Sequence, residues 1–350
     1  MIDFTLSPET TNTQKMIHAV ANSTMRPISR EYDEREHEKP TEWLTMMWSG
    51  SKNMISFGES GKKATKSERK PSERTLRAVV LIEELSWGDA GLYLSIPNSG
   101  LGGAAVMAAG TPEQKERFLA RFRDGEPKWG AMAITEPGCG SDSAAITTTA
   151  VRDGDHWVLN GTKIFCTSGL MAVEKSEGFV VVWATVDKSA GRAGIKAFVV
   201  DHHTAGMTVA KVENKMGIRA SDTAMLVFED CRIPLDNILG SDEVQQSTDG
   251  FKGVMATFDA TRPLVAASAL GIARAAVDFG FRWLQAPEIV SYTVPGNVRS
   301  RRVMEKIGMK REGVIRDHVV KWDRFESLAI YSILEPEWRA GLPTRRAGSR

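Results

Sequence analysis

The chain has 350 residues, and its 45 lysines and arginines against 44 aspartates and glutamates give a net charge of +1. A nearly neutral chain lacks the bulk positive charge that attracts nucleic acid or acidic membranes. Hydrophobic residues make up 42% and charged residues 25%, a balance that excludes a wholly disordered protein. The length allows about two domains of roughly 150 residues each.

Signals for membranes, secretion or metal binding are weak. No apolar run approaches the roughly 18–20 residues of a membrane helix, and the N-terminal MIDFTLSPET lacks the basic start of a secretory signal. Cys139, Cys166 and Cys231 are far apart and odd in number, which argues against disulfides or a zinc site. We therefore expect no membrane span, no metal and a cytoplasmic location.

Residues 1–128 have the pattern of a helical domain. Ser7, Pro8 and Glu9 are typical of a helix start, and we expect this helix to end near Pro27, because proline disfavours helix in the residue before it. Residues 50–71 are rich in glycine, serine and lysine and predict a loop. Ser72 is the expected cap of a second helix over residues 72–86, whose apolar face is formed by Ala78, Leu81, Ile82 and Leu85.

A capping box begins a further helix in this domain. Thr111, a proline at the next position and Gln114 three residues later form the pattern in which two side chains bond the free amides of a helix start. The helix should run to about Arg121, with Phe118 and Leu119 directed inward.

The pattern changes near Trp129 to alternating apolar and polar residues. Asp153-Gly154 and Asn160-Gly161 predict hairpin turns. We expect an antiparallel all-β domain that ends at Pro234, with strands at residues 156–159, 162–166, 178–186, 195–201, 207–212 and 224–228.

Helical periodicity returns near Gly250 and is strongest over residues 264–281. The composition shifts again at about Ala286. Beyond it we predict a strand over residues 288–294, a helix over 298–307, a strand pair over 310–334 and a frayed basic end over 339–350.

The sharpest motif is AITEPGCGSDSA at residues 133–144. Gly138 and Gly140 let the backbone approach a ligand, and consecutive amides there can bind an anion. On residue types alone, a tight loop between two domains is the more common interpretation. No third glycine follows, so the motif is no Rossmann fingerprint.

Five ordered blocks together resemble the acyl-CoA dehydrogenase family, over about residues 1–280. They lie at residues 110–119, 133–144, 155–169, 215–240 and 258–276. The resemblance implies an α+β multidomain fold: an N-terminal helical domain, an antiparallel β-barrel or sandwich middle domain, a truncated C-terminal helical segment and a small α/β tail fragment. The expected boundaries are 1–128, 129–240, 241–285 and 286–342, followed by a disordered tail at 343–350.

The resemblance also implies FAD and an acyl-CoA thioester as ligands. Ile134 and Thr135 occupy positions that hold the flavin ring by backbone and hydroxyl contacts. Gly140 and Ser141 match contacts to the flavin pyrophosphate and the CoA arm. Ser141 is thus expected at both ligands.

Two further positions match flavin contacts of the family. Phe165 stands where an aromatic residue packs on the flavin, and Thr167 where a hydroxyl reaches its N5 edge. On the later helix, Asp259, Thr261 and Arg262 match residues that line the substrate channel.

The catalytic base of the family is not found, so the catalytic residue is unknown. Thr261 stands at one of the two positions where members carry a glutamate, and a threonine cannot serve as a base. The later helical region is replaced. The resemblance implies an electron-transferring flavoprotein as partner and a homo-oligomer, yet an uncovered helix at residues 264–281 predicts aggregation instead.

The replacement, at about residues 286–339, resembles the C-terminal half of a GCN5-related N-acetyltransferase. Asn297 and Ser300 match its acetyl-CoA-side helix, and Tyr331 lies near where some members place a general acid. The preceding phosphate-binding turn is missing. We interpret the chain as a fusion of two partial domains, with a seam between about residues 271 and 285.

Three functions remain open. The leading one is an FAD-dependent acyl-CoA dehydrogenase, impaired by the loss of its base. The alternatives are N-acetyltransferase activity of the tail and a non-catalytic protein that binds FAD or acyl-CoA.

Overall fold

The computed structural model describes residues 6–51, 74–244, 249–283, 287–321 and 323–341. The chain divides into two compact units, Met1–Ile272 (unit 1) and Ala273–Arg350 (unit 2). The predicted loop at 50–71, the Ser72 cap and the tail at 343–350 fall wholly or mostly outside the described residues.

Unit 1 begins with helices, as expected. They are α1 (Pro8–Val20), α2 (Arg26–Glu34), α3 (Thr41–Ser51), α4 (Arg74–Ser95), α5 (Gly100–Ala109) and α6 (Pro112–Leu119). Ser7 caps α1 by accepting a hydrogen bond from the Thr10 amide at 3.2 Å.

The expectation that the first helix ends near Pro27 is wrong. A five-residue π-helical turn, Ala21–Met25, joins α1 directly to α2, and Pro27 lies in the first turn of α2. Proline is tolerated there because first-turn amides have no partner within their own helix. The wider turn before it accommodates the ring without ending the helical path.

The second predicted helix is α4, which extends nine residues beyond the expected end at Ser86. Asp89 has extended backbone angles (φ −169°, ψ 123°) inside it. The Asp89 carboxylate accepts from the Leu92 amide at 2.7 Å and so caps the turn that follows. The chain therefore resumes the helix after the break.

The capping box of α6 is confirmed, with both reciprocal hydrogen bonds between Thr111 and Gln114. The Gln114 amide has a second role, because its nitrogen donates to the Ile238 carbonyl at 2.6 Å and its oxygen accepts from the Gly240 amide at 2.9 Å. One side chain thus starts α6 and ties it to the end of the β domain.

Seven strands form the middle sheet, in the order β1-β4-β2-β3-β7-β6 with β5 beside β4. They are β1 (Gly130–Ala133), β2 (Thr149–Asp153), β3 (His156–Thr167), β4 (Phe179–Thr185), β5 (Ile195–Asp201), β6 (Met207–Val212) and β7 (Thr223–Pro234). Their buried face packs against α5 and α6 through a core that includes Phe118, Phe179 and Trp183.

Three details of the β prediction need correction. The pairing is mostly antiparallel, but β1 and β2 both pair with β4 in parallel, and a short helix, α7 (Gly169–Val173), follows β3. Asn160-Gly161 is no turn: β3 continues through it, with a register shift against β7. A Cβ at Gly161 would lie 2.8 Å from the Thr148 Cα, so this glycine permits a close backbone approach.

The long helix α8 (Asp249–Trp283) follows, and its residues as far as Ile272 belong to unit 1. It crosses α4 closely, since a Cβ on Gly271 would lie 2.2 Å from the Glu83 carbonyl oxygen. The Ser86 and Ser268 hydroxyls bond at 2.9 Å. The segment Phe251–Arg282 is long and apolar enough to meet the length and composition criteria for a membrane span, which core helices of soluble proteins also meet. The absence of a span stays a prediction.

Unit 2 contains β8 (Glu288–Thr293), α9 (Val298–Lys306), β9 (Lys310–Lys321), β10 (Arg324–Leu334) and α10 (Glu335–Gly341). This confirms the predicted order of strand, helix and strand pair. The strands form an antiparallel sheet in the order β8-β10-β9. Its small core centres on Tyr331, Met304 and Ile333.

Candidate functional site

The glycine-rich loop predicted from sequence lies between β1 and β2 and contacts β3. The Ile164 amide of β3 donates to the Thr135 carbonyl at 2.8 Å. Ile134 is buried, Thr135 is half-buried, and Gly140 and Ser141 are exposed. The backbone therefore holds the start of the loop against the strand that carries Phe165 and Thr167.

A buried carboxylate, that of Glu136, fastens the two ends of this loop together. Glu136 is 4% exposed and accepts hydrogen bonds from the amides and hydroxyls of Thr147 and Thr148, at 2.6–2.9 Å. The buried Lys163 ammonium donates to Glu136 at 2.7 Å and to the Ile134 carbonyl at 3.1 Å. The hydrogen bonds of the buried Glu136 carboxylate therefore hold the two ends of the loop together.

These contacts set the charge of both groups. Burial alone would raise the pKa of Glu136, but hydrogen bonds from Lys163, Thr148 and Thr147 outweigh burial and lower that pKa to about 2. Burial lowers the pKa of Lys163, and Glu136 opposes that effect. Glu136 remains a carboxylate at neutral pH and has a structural role.

A cavity of about 430 Å³ opens between this loop and α8. Its walls come from three parts of unit 1: the loop, the turn before β5 and one face of α8. The lining residues are Ile134, Thr135, Gly140, Ser141, Asp142, Ser143, Ala144, Arg192, Phe251, Met255, Phe258 and Arg262. Five of the positions predicted from sequence therefore meet here: Ile134, Thr135, Gly140, Ser141 and Arg262.

The glycines of the loop leave space at its surface. A Cβ on Gly138 would meet no atom within 4 Å, and one on Gly140 would meet only the Thr135 methyl at 3.9 Å. The chain itself therefore does not require glycine at either position. A ligand lying against bare backbone would require it, which fits a flavin cofactor held along the loop.

Phe165 and Thr167 lie beside this loop on β3, outside the lining of the cavity. Phe165 is 61% exposed and has a left-handed backbone (φ 57°), at a register shift between β3 and β7. The backbone is strained at this position, and the exposed side chain leaves apolar ring surface in contact with solvent. The Phe165 ring can stack on a flavin ring, and the hydroxyls of Thr135 and Thr167 can donate hydrogen bonds to it.

Two predicted substrate residues do not face the cavity. Asp259 is exposed, and its carboxylate lies 3.9 Å from the Arg262 guanidinium. The Thr261 hydroxyl donates to the Thr257 carbonyl of the same helix at 2.9 Å. Among the described residues that line the cavity, Asp142 is the single carboxylate.

Comparisons with known proteins match this architecture. Residues 7–126 match the family description "Acyl-CoA dehydrogenase, N-terminal domain", and residues 131–231 match "Acyl-CoA dehydrogenase, middle domain". The chain belongs to the acyl-CoA dehydrogenase family. The α+β fold class inferred from the sequence is confirmed.

Relatives within the acyl-CoA dehydrogenase family include short-chain enzymes. The short-chain specific acyl-CoA dehydrogenase of Clostridium acetobutylicum is 38% identical over 79% of this chain and 68% of that protein. The mitochondrial short-chain enzyme of Bos taurus is 46% identical over 57% of this chain and 46% of that protein. The chain thus spans about half to two thirds of these relatives.

Solved structures agree with the sequence relatives. Butyryl-CoA dehydrogenase from Megasphaera elsdenii aligns with a TM-score of 0.66 and 33% identity, over 81% of this chain and 70% of that one. A chain of the structure described as an electron-transferring flavoprotein of Acidaminococcus fermentans aligns with a TM-score of 0.68 and 31% identity, over 87% and 75%.

The other resemblance is also found. Residues 268–310 match "Acetyltransferase (GNAT) domain", which supports a fusion. Tyr331, however, is fully buried, and its hydroxyl accepts from Arg301 at 3.1 Å and donates to Glu305 at 3.0 Å. Its proton is engaged in the interior of unit 2, so the structure does not present this side chain as a general acid.

No sequence pattern indicated Lys163, the role of Glu136 or the position of Arg192. Glu136 and Lys163 are 27 residues apart, a separation with no helical or strand period to link them. A signal did exist for Glu136, since an acid that follows closely on the apolar strand β1 needs a partner if it is buried.

Proposed function

We propose that the chain is an FAD-binding acyl-CoA dehydrogenase whose turnover is impaired. The observation that carries the proposal is the cavity between the glycine-rich loop and α8, with bare backbone at Gly140 on one wall. The family is one of FAD flavoproteins, and residues beside the cavity fit that cofactor. When bound, FAD supplies the oxidation of the Cα–Cβ bond of an acyl thioester.

The residues have separate roles in this proposal. Thr135 and Thr167 offer hydroxyls to the flavin ring, and the Phe165 side chain packs on it. Gly140 and Ser141 offer amides and a hydroxyl to the flavin pyrophosphate and the CoA arm. On the opposite wall, Phe258 of α8 excludes water from the thioester.

We expect turnover to be impaired because the side chains around the cavity do not provide a suitable catalytic base. Removal of the α-proton needs a carboxylate aimed at that carbon. Thr261 bonds its own helix backbone, and the Asp142 carboxylate is solvent-exposed on the loop. Neither group is a buried base directed at the substrate. We therefore expect the protein to bind FAD and acyl-CoA but to oxidise the acyl-CoA slowly or not at all.

Relatives indicate the substrate and the partner. The Clostridium acetobutylicum and Megasphaera elsdenii proteins act on short acyl groups by name, so we assign a short-chain acyl-CoA substrate. An electron-transferring flavoprotein is the proposed electron acceptor, supported by the description of the Acidaminococcus fermentans structure. Free Cys139, Cys166 and Cys231 fit a reducing cytoplasm.

Self-association is part of the proposal. Val265 and Leu270 of α8 are 68% and 49% exposed, and apolar helix faces of this kind associate in water. We expect aggregates rather than a uniform tetramer, and light scattering checks this.

Visible absorption of the purified protein tests the proposal. We expect flavin bands that bleach slowly or not at all when butyryl-CoA is added without oxygen. Absence of flavin after reconstitution with FAD would overturn the proposed cofactor site. Rapid bleaching would instead show that a base is present and that turnover is intact.

N-acetyltransferase activity is the second candidate, because residues 268–310 match that family. The buried hydroxyl of Tyr331 argues against it. Release of CoA from acetyl-CoA in the presence of an amine-bearing peptide would support this second function, and no release above the spontaneous rate would exclude it.

A further inference from the structure

Arg192 enters the cavity from a part of the fold that the sequence motifs do not cover. It lies in the turn Gly191–Gly194, just before β5, and is exposed. Its guanidinium carbon is 5.2 Å from the centre of the Phe251 ring, a stacked arrangement on α8. Among the described residues, no carboxylate lies within salt-bridge distance of Arg192. The charge is therefore oriented and has no anionic partner in the part of the chain that the structure describes.

Arg262 provides an internal comparison on the same wall. Its guanidinium stacks on Phe258, also at 5.2 Å, but Asp259 lies 3.9 Å away and offsets part of its charge. Phe251 and Phe258 are seven residues apart on α8, which places them about 10 Å apart along the helix. Two stacked arginines thus lie at one wall of the cavity, and among the described residues Arg262 has a carboxylate within 4 Å whereas Arg192 has none.

Stacking fixes the plane of a guanidinium but leaves its N–H edge open. An open edge with an uncompensated charge matches the oxygens of a phosphate, which it can bind with two parallel hydrogen bonds. The acyl-CoA substrate proposed above has a pyrophosphate and a 3′-phosphate on its CoA moiety. These phosphates are distant from the reacting thioester, so binding them adds affinity without touching the reacting atoms.

We propose that Arg192 binds a phosphate of the CoA moiety and so favours CoA thioesters over pantetheine thioesters, which lack phosphate. The assignment rests on the proposed function, because the acyl-CoA substrate comes from it. It makes Arg192 a binding residue that sets specificity for the carrier group.

The test compares two ligands and three variants by titration calorimetry. The ligands are butyryl-CoA and S-butyryl-pantetheine, which share the thioester. Arg192→Gln should weaken butyryl-CoA binding by about tenfold and leave S-butyryl-pantetheine binding unchanged. Arg192→Lys should have an intermediate effect, because lysine keeps the charge and loses the planar fork.

Lys188→Gln is the matched control. Lys188 is an exposed cation just before the same turn, and it does not line the cavity. Its removal should change neither affinity, whereas a loss equal to that of Arg192→Gln would mean general electrostatics and overturn the assignment. Equal weakening of both ligands by Arg192→Gln, or no change in either, would overturn it as well.

Adenosine 3′,5′-bisphosphate separates this proposal from the proposed function. It carries phosphates of the CoA moiety without a thioester. Binding of this fragment that depends on Arg192, in a protein that takes up neither FAD nor S-butyryl-pantetheine, would keep the phosphate site and reject the dehydrogenase. Binding of FAD and both thioesters with no dependence on Arg192 would do the reverse.

Discussion

Units 1 and 2 each bury a polar group at their centre, but the two groups do different work. In unit 1, Glu136 is a charged carboxylate that joins two ends of the loop facing the cavity. In unit 2, Tyr331 is a neutral phenol that joins α9 to the sheet. A buried charge is tolerated only when hydrogen bonds and an opposite charge offset its loss of hydration, whereas a buried phenol hydroxyl needs fewer such contacts. The interior of unit 1 is thus organised around its site.

The largest expected effect is at Glu136. Glu136→Gln removes the charge opposite the buried Lys163 and should destabilise unit 1 by about 3–5 kcal/mol, since it leaves an unpaired buried cation. Urea unfolding measures the change. Glu174→Gln, an exposed carboxylate, is the control and should stay within about 0.5 kcal/mol. Equal effects of the two variants would contradict the stabilising role of the buried Glu136–Lys163 pair.

The same carboxylate predicts a pH dependence. Its pKa is about 2 in the fold and 4.5 in its unperturbed state, so its stabilising effect is complete above about pH 4.5. That effect is lost as the pH falls from about 4.5 towards 2, because the unfolded chain takes up the proton first. Urea midpoints measured across this range should fall less steeply in Glu136→Gln. A slope identical to that of the parent chain would contradict the assignment.

Close helix packing in unit 1 gives the next effect. Gly271→Ala places a methyl group 2.2 Å from the Glu83 carbonyl oxygen, so α8 must move away from α4. We expect a loss of about 1–3 kcal/mol in thermal unfolding. Gly50→Ala in α3 is the control, since a Cβ there meets nothing within 4 Å, and better helix propensity should make it neutral or stabilising by up to about 1 kcal/mol. A neutral Gly271→Ala would show that the helix crossing is loose.

The smallest effect is in unit 2. Tyr331→Phe keeps the buried ring and removes the hydroxyl, which should cost about 1 kcal/mol. Hydrogen exchange of the β10 amides reports it locally. Tyr292→Phe is the matched control, because Tyr292 is 56% exposed, and it should not alter exchange. A loss of unfolding free energy as large as that of Glu136→Gln would contradict the comparison, because the buried hydroxyl of unit 2 would then matter as much as the buried carboxylate of unit 1.

Local chemistry was readable from the sequence where neighbours in the chain decide the structure. The Thr111–Gln114 capping box and the Asp153-Gly154 turn are confirmed because their partners lie within four residues. The turn predicted at Asn160-Gly161 is wrong, because the glycine there allows the close approach of the Thr148 backbone, which belongs to another segment of the chain. The helix end predicted near Pro27 is wrong, because the π-helical turn before it accommodates the proline ring.

The same limit applies to the site. The glycine-rich loop and Arg262 were found from residue types and resemblance, and the cavity brings them together. The Glu136–Lys163 pair and the approach of Arg192 to Phe251 depend on how strands and helices pack. Contacts of that kind have no period or motif along the chain.

Gln114 has a consequence for the ageing of the protein. A glutamate would cap α6 equally well, because the capping box needs only a side-chain acceptor for the Thr111 amide. The Ile238 carbonyl, however, needs a donor. Hydrolysis of this one amide would leave the helix start intact while setting a negative charge against that carbonyl. The change would therefore weaken the attachment of α6 to the β domain at Ile238, while the start of the helix and the hydrogen bond from the Gly240 amide would remain.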